Sequence, residues 1–97
     1  MAMHNPLHPD EFIQATYMAP FDVSCRSLAQ HLNVAASTLN RILKQRSGVS
    51  PEMALHLSKT LGRPPESWLA MQDAYDLWTA RKAIELSGVQ RLNLDAA

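Results

Sequence analysis

From Pro9 to Leu86 the apolar residues recur at three- and four-residue spacing, with no sustained alternation of apolar and polar positions. The one exception is a short run at the C-terminal end, Val89-Gln90-Arg91-Leu92-Asn93-Leu94. That spacing restricts the chain to helices joined by short connections. Start and stop signals divide it into five. Pro9 suits a first helical position, and Asp10 and Glu11 suit the positive end of the helix dipole. Phe12, Ile13 and Tyr17 share a face there, either as core or as the wall of a ligand pocket, and Pro20 ends the run. A second helix opens at Ser24 as N-cap and turns Leu28, Ala29 and Leu32 inward. Asn33 follows where a left-handed residue is useful. A third runs from about Ala36 to Lys44, with Leu39, Ile42 and Leu43 as its inward stripe. Ser50-Pro51-Glu52 starts a fourth, which carries Met53, Ala54, Leu57 and Leu61 and stops at Gly62. A long fifth begins at Pro65-Glu66 and runs to about Leu86, closed by Ser87-Gly88. Gly48, like Gly62 and Gly88, falls where a helix could end. Leu28, Leu32, Val34, Leu39, Ile42, Leu57 and Leu61 are expected to be buried together.

At 97 residues the chain is sized for a single domain over 1–97. Nine Lys and Arg balance nine Asp and Glu, which excludes a uniformly basic coat but not a local basic face. No apolar run approaches the ~20 residues of a membrane span. Met1 to Pro6 has neither a basic start nor a long apolar stretch, so no signal peptide is expected. The single cysteine, Cys25, leaves no intramolecular disulfide. A cytoplasmic protein is the expectation.

The distribution of charge is more informative than its sum. Residues 1–22 hold three acids and no Lys or Arg. Residues 23–51 hold Arg26, Arg41, Lys44 and Arg46 and no acid, and residues 52–97 hold six acids and five bases. A basic patch confined to one helix pair is the footprint of a small DNA-binding module, although most charge clusters are solvated faces. The order within 24–44 favours the former. Cap, short helix, tight turn and second helix form a helix-turn-helix, whose second helix lies in the major groove. Ala36, Ser37, Thr38, Asn40 and Arg41 would be its outward residues, with chemistries that read base edges. Lys44, Arg46 and Ser24 would suit phosphates, with Arg26 completing the basic face.

The segment Ser24 to Leu43 resembles the helix-turn-helix of the XRE, or lambda-repressor-like, family. His8-Pro9-Asp10-Glu11-Phe12 resembles the "HPGE" opening of HigA-type, VapI-like antitoxins. Ser50 to Lys59 is similar to that group's fourth helix, and Trp68-Leu69-Ala70-Met71-Gln72-Asp73-Ala74-Tyr75-Asp76-Leu77-Trp78 to its "FWLNLQxAYDLW" run. The match spans roughly residues 5–82. Ala35 stands where such proteins usually place a Ser cap, Asn33 replaces a common turn glycine, and Pro64 occupies the usual cap of the fifth helix.

The resemblance implies an all-α, five-helix, lambda-repressor-like domain with an extended fifth helix. It also implies an antitoxin that neutralises a RelE-like, HigB-type toxin cutting mRNA on the ribosome, and that binds its operator DNA as a dimer to repress its own operon. A free-standing repressor without a toxin is the alternative within DNA binding; a protein-interaction module that has lost DNA binding is the alternative outside it. The fifth helix supports dimerisation on its own residues. Gln72, Asp73, Asp76 and Thr79 share one side, while Trp68, Ala70, Met71, Ala74, Tyr75, Leu77 and Trp78 cover about half the circumference, against the roughly 100° that one core needs. Met71, Tyr75 and Trp78 are the expected interface, with Leu92 and Leu94 of the 65–97 helix-and-tail segment adding a strand-like contact. His4 and His8 have a helical metal spacing that Pro6 and Pro9 interrupt, so no metal or other cofactor is expected. Asp73 and Asp76 look solvated rather than paired in a pocket, and no catalytic motif is present, so the chain is not read as an enzyme.

Overall fold

The first helix starts on a double cap. His8 Nδ1 accepts from the Asp10 N–H at 3.0 Å, and the Glu11 side chain accepts from the His8 N–H at 3.3 Å. α1 (Pro9–Ile13) runs on into a π-helical turn, Gln14–Met18, closed by the Ala19 N–H on the Gln14 carbonyl at 2.8 Å. α2 (Cys25–Leu32), α3 (Ala36–Leu43), α4 (Pro51–Leu61) and α5 (Pro65–Ala83) follow. This computed structural model describes residues 6–95, all-helical and with no strand among them. His4 and the first five residues lie outside the described part.

The expected caps are in place at Ser24 and Ser50, whose hydroxyls accept from the Ser27 and Met53 N–H groups at 3.1 Å. Asn33 takes the left-handed conformation, φ 59°, and Gly62 ends α4 at φ 89°. The core is one cluster of Ile13, Leu28, Ala29, Leu32, Leu39, Ile42, Val49, Met53, Ala54, Leu57 and Trp68. Val34 and Leu61, expected inside with them, pack on the rim of that cluster instead. Val34 sits in the turn and Leu61 in the last turn of α4, where the covering helices end. Phe12 and Tyr17 are half-buried and pack against that core, the Phe12 ring 5.8 Å from both Tyr17 and Trp68, edge to face, while Tyr17 also lines a hollow with Val23, Leu28 and Thr60. Trp68 is fully buried and donates its Nε1–H to the Gly62 carbonyl at 3.1 Å. Arg63 covers this corner, its guanidinium 4.8 Å from the Phe12 ring centre.

Three expectations need correction. α5 stops at Ala83, with Ile84 extended at φ −97° and ψ 134°, rather than running to Leu86. Every residue from Arg81 to Asp95 is exposed, and a helix without a packed face gains too little to persist. Ser87-Gly88 is therefore a turn inside an extended tail, not a helix cap. Gln72 falls on the polar side of α5 by helical angle but is only 6% exposed. Gly48 does not end a helix. It lies in the connection to α4, and a Cβ there would meet the Gln72 Cδ at 2.9 Å.

Candidate nucleic-acid interface

α3 is held from behind and bare in front. Leu39 and Ile42 are buried and Leu43 half-buried, while Ala36, Ser37, Thr38, Asn40, Arg41 and Lys44 are all exposed. At 100° per residue, Ala36, Ser37, Asn40, Arg41 and Lys44 fall within an arc of about 140°. Thr38 lies at its edge, where it lines a hollow with Val34, Ser50, Glu52, Met53 and His56. Asn40 lies inside that arc and faces outward with the others.

Both helices of the pair end in the same way. The Asn33 and Val34 N–H groups return to the Gln30 and Ala29 carbonyls, each at 3.1 Å. After α3, the Gln45 and Arg46 N–H groups return to the Ile42 and Arg41 carbonyls at 3.0 and 2.8 Å. These are Schellman closures, built on left-handed Asn33 and Gln45, both at φ 59°. Asn tolerates that conformation, but Gln carries the full Cβ penalty of about 1–2 kcal/mol.

Neighbouring helices brace the pair. From α4, the His56 ring nitrogen Nδ1 lies 2.7 Å from the Leu32 carbonyl, and the Thr60 hydroxyl donates to the His31 carbonyl at 3.3 Å. These contacts satisfy carbonyls at the end of α2. From the π-helical turn after α1, the Gln14 amide donates to the Leu43 carbonyl of α3 at 3.4 Å. The start of α3 is different. Ala35 is extended, φ −65° and ψ 142°, but offers no side-chain acceptor, so no side chain caps the first N–H groups. These groups and the helix dipole face outward at Ala36 and Ser37, where an anion would be favoured.

The electrostatics match. Arg26, Arg41, Lys44 and Arg46 are exposed, and none pairs with a carboxylate among the described residues. Ser24 is exposed at the start of α2 but already uses its hydroxyl as a cap. All nine residues expected to face DNA thus lie on the surface of the α2–α3 pair and its following loop.

The residues expected at a dimer contact divide. Met71 packs against the core cluster, and the Tyr75 ring stands edge-on to His8 at 4.8 Å. Tyr75 donates its hydroxyl to Gln45 Oε1 at 3.1 Å. Trp78 is half-buried beneath Lys82, whose Nζ is 4.1 Å from the ring centre. Leu92 and Leu94 are 74% and 83% exposed.

A buried polar node joins these parts, and its members carry no individual signal in the sequence beyond the family-like runs they sit in. Gln72 Oε1 accepts from the Val49 N–H at 2.9 Å, and its amide donates to Asp76 Oδ1 at 3.0 Å. His8 Nε2 lies 3.5 Å from the same amide nitrogen. Asp10 Oδ1 approaches His8 Nδ1 at 3.3 Å, but that nitrogen already accepts the Asp10 N–H. Two acceptors therefore face each other, and Asp10 Oδ1 is left buried without a donor.

Five helices with a bare, acid-free second helix of a helix-turn-helix define a DNA-binding domain of the lambda-repressor-like class. No protein-family model matches the chain. It is similar to the uncharacterized HTH-type transcriptional regulator YddM of Escherichia coli K12, 36% identical over 92 residues, which cover 95% of this chain and 97% of that protein. Among solved structures it resembles the antitoxin GraA, 43% identical, with a TM-score of 0.85 over 93% of this chain and all of that one. GraA in complex with its operator superposes with a TM-score of 0.84 over 96% of this chain and 97% of that one, at 42% identity. Pseudomonas aeruginosa HigA, solved with the higBA promoter, is 30% identical, with a TM-score of 0.80 over 92% of this chain and 97% of that one. The chain belongs to the HigA-type antitoxin family of helix-turn-helix regulators, a family of regulators and antitoxins rather than enzymes. None of the described helices is long and apolar enough to cross a membrane.

Proposed function

We propose that this chain is the antitoxin of a type II toxin–antitoxin system, working in the cytoplasm. As a dimer it binds operator DNA to repress its own operon, and it neutralises a RelE-like, HigB-type toxin. The observation that carries the DNA half is the exposed arc of α3 with its unpaired cations. Ser37, Asn40 and Arg41 face the major groove and read base edges, with Ala36 and Thr38 at their flanks. Arg26, Lys44, Arg46, Ser24 and the uncapped N–H groups of α3 meet phosphates. The toxin half rests on similarity to antitoxins alone.

Two half-sites require two copies. Half-buried Trp78, with Leu77 at 53% exposure and Leu92 and Leu94 in the tail, supplies the apolar side chains we assign to the contact between them. A second reading, a free-standing repressor, is supported by YddM, which matches almost end to end and is named a transcriptional regulator.

A titration of the purified protein against DNA from upstream of its own gene, read by fluorescence anisotropy, tests operator binding. Salt-sensitive binding that a scrambled duplex does not match is expected. Equal affinity for both duplexes would refute it. Coexpression with the product of the adjacent gene separates the two readings. Relief of that product's growth arrest identifies the antitoxin, and an adjacent gene with no toxic product identifies the free-standing repressor.

A further inference from the structure

We infer that Tyr75 of α5 is a positioning residue for DNA recognition: its hydroxyl holds Gln45 left-handed and so sets Arg46 in register with α3. The inference rests on the proposed DNA-binding role of this face. Three observations carry it. First, Gln45 is a non-glycine residue at φ 59°, a conformation that persists when the surroundings hold it. Second, the hydrogen bond from Tyr75 to Gln45 Oε1, 3.1 Å, joins positions 30 residues apart in sequence, so it ties α5 to the loop rather than stabilising either locally. Third, Gln45 immediately precedes Arg46, whose N–H closes on the Arg41 carbonyl at 2.8 Å. The direction of the Arg46 side chain relative to Arg41 therefore depends on the Gln45 dihedrals.

The other end of the same loop is fixed from the same helix. Gln72 accepts from the Val49 N–H at 2.9 Å, and Gly48 leaves room for the carboxamide to approach. α5 thus grips the loop at Gln45 and at Val49, and the segment between them carries Arg46. On this account the Tyr75 hydroxyl acts on DNA affinity through one phosphate contact in each subunit.

The experiment is a double-mutant cycle on operator binding, read by anisotropy across a series of salt concentrations. Tyr75→Phe keeps the ring against His8 and removes only the hydroxyl. Gln45→Ala removes the acceptor from an exposed position, which makes it the second route if Tyr75→Phe folds poorly. Each is expected to weaken operator binding by the dimer about 10- to 100-fold, because each subunit loses one hydrogen bond worth about 3- to 10-fold. Each should also flatten the slope of log affinity against log salt by about 1.8, the signature of one lost phosphate contact in each of the two subunits. Arg46→Ala should do the same, and Tyr75→Phe added to Arg46→Ala should cost nothing further. Losses that multiply across the cycle, or a Tyr75→Phe protein with wild-type affinity and slope, overturn the inference while wild-type binding stands. A wild-type protein that fails to bind operator overturns the DNA-binding reading itself.

Discussion

Replacing Gln72 by methionine separates the polar node from the volume it fills. Gln72 is 6% exposed, and its carboxamide makes two bonds, to the Val49 N–H at 2.9 Å and to Asp76 Oδ1 at 3.0 Å. Methionine is close in length and flexible enough to occupy the same space, so cavity and overpacking terms are small. What remains is the loss of partners. Asp76 is exposed, and water replaces the amide at little cost. The Val49 N–H belongs to a residue only 6% exposed, and water does not reach it freely. A buried donor left without an acceptor costs about 1–3 kcal/mol. At about 4–8 °C per kcal/mol for a domain of this size, Gln72→Met should lower Tm by roughly 5–20 °C. Thermal unfolding followed by circular dichroism, with a urea titration to confirm an unchanged m value, measures it. A Tm within about 2 °C of wild type would show that Val49 needs no acceptor from α5. It would also refute the claim that α5 anchors the loop after α3.

Leu39 is fully buried in the core cluster, so Leu39→Ala should cost about 2–5 kcal/mol in a urea titration; a loss near zero would mean that the faces of α3 are reversed. Ala35 has the extended backbone of an N-cap but no acceptor, so Ala35→Ser should add about 0.5–2 kcal/mol by the same assay, and no gain would place the start of α3 elsewhere. Trp78→Glu should dissociate the protein in analytical ultracentrifugation and weaken operator binding. A wild-type monomer at micromolar concentration would exclude the proposed dimer, and a dimer indifferent to the change would move its contact away from Trp78.

Much of the fold was legible because its signals are local. Ser24 and Ser50 announce helix starts through their own hydroxyls, Asn33 tolerates the left-handed turn, and the stripe Leu39, Ile42, Leu43 sets the face of α3. The outward residues of α3 follow from that stripe by subtraction. What stayed hidden is what depends on distant partners. Gln72 reads as polar surface by helical angle, yet the Val49 N–H and the missing Cβ of Gly48 draw it inside. Gln45 gives no sign of a left-handed conformation, because the residue type opposes it and the Tyr75 hydroxyl that meets it lies 30 positions away. The sequence carries α5 past its real end because Ile84 and Leu86 continue the apolar spacing although no core lies beneath them; they are 58% and 62% exposed.

The central claim is that α3 reads base edges, and Arg41 tests it most directly. It lies in the second turn of α3, exposed and unpaired, where a guanidinium can reach guanine in the major groove. The measurement is the affinity of wild type, Arg41→Ala and Lys44→Ala for the operator and for a panel of single base-pair variants, at one salt concentration. Arg41→Ala should lose discrimination at one base pair in each half-site, worth about 1–3 kcal/mol per position, while Lys44→Ala should weaken every duplex by the same factor. An Arg41→Ala protein that keeps wild-type affinity and wild-type preference at every position would contradict the account.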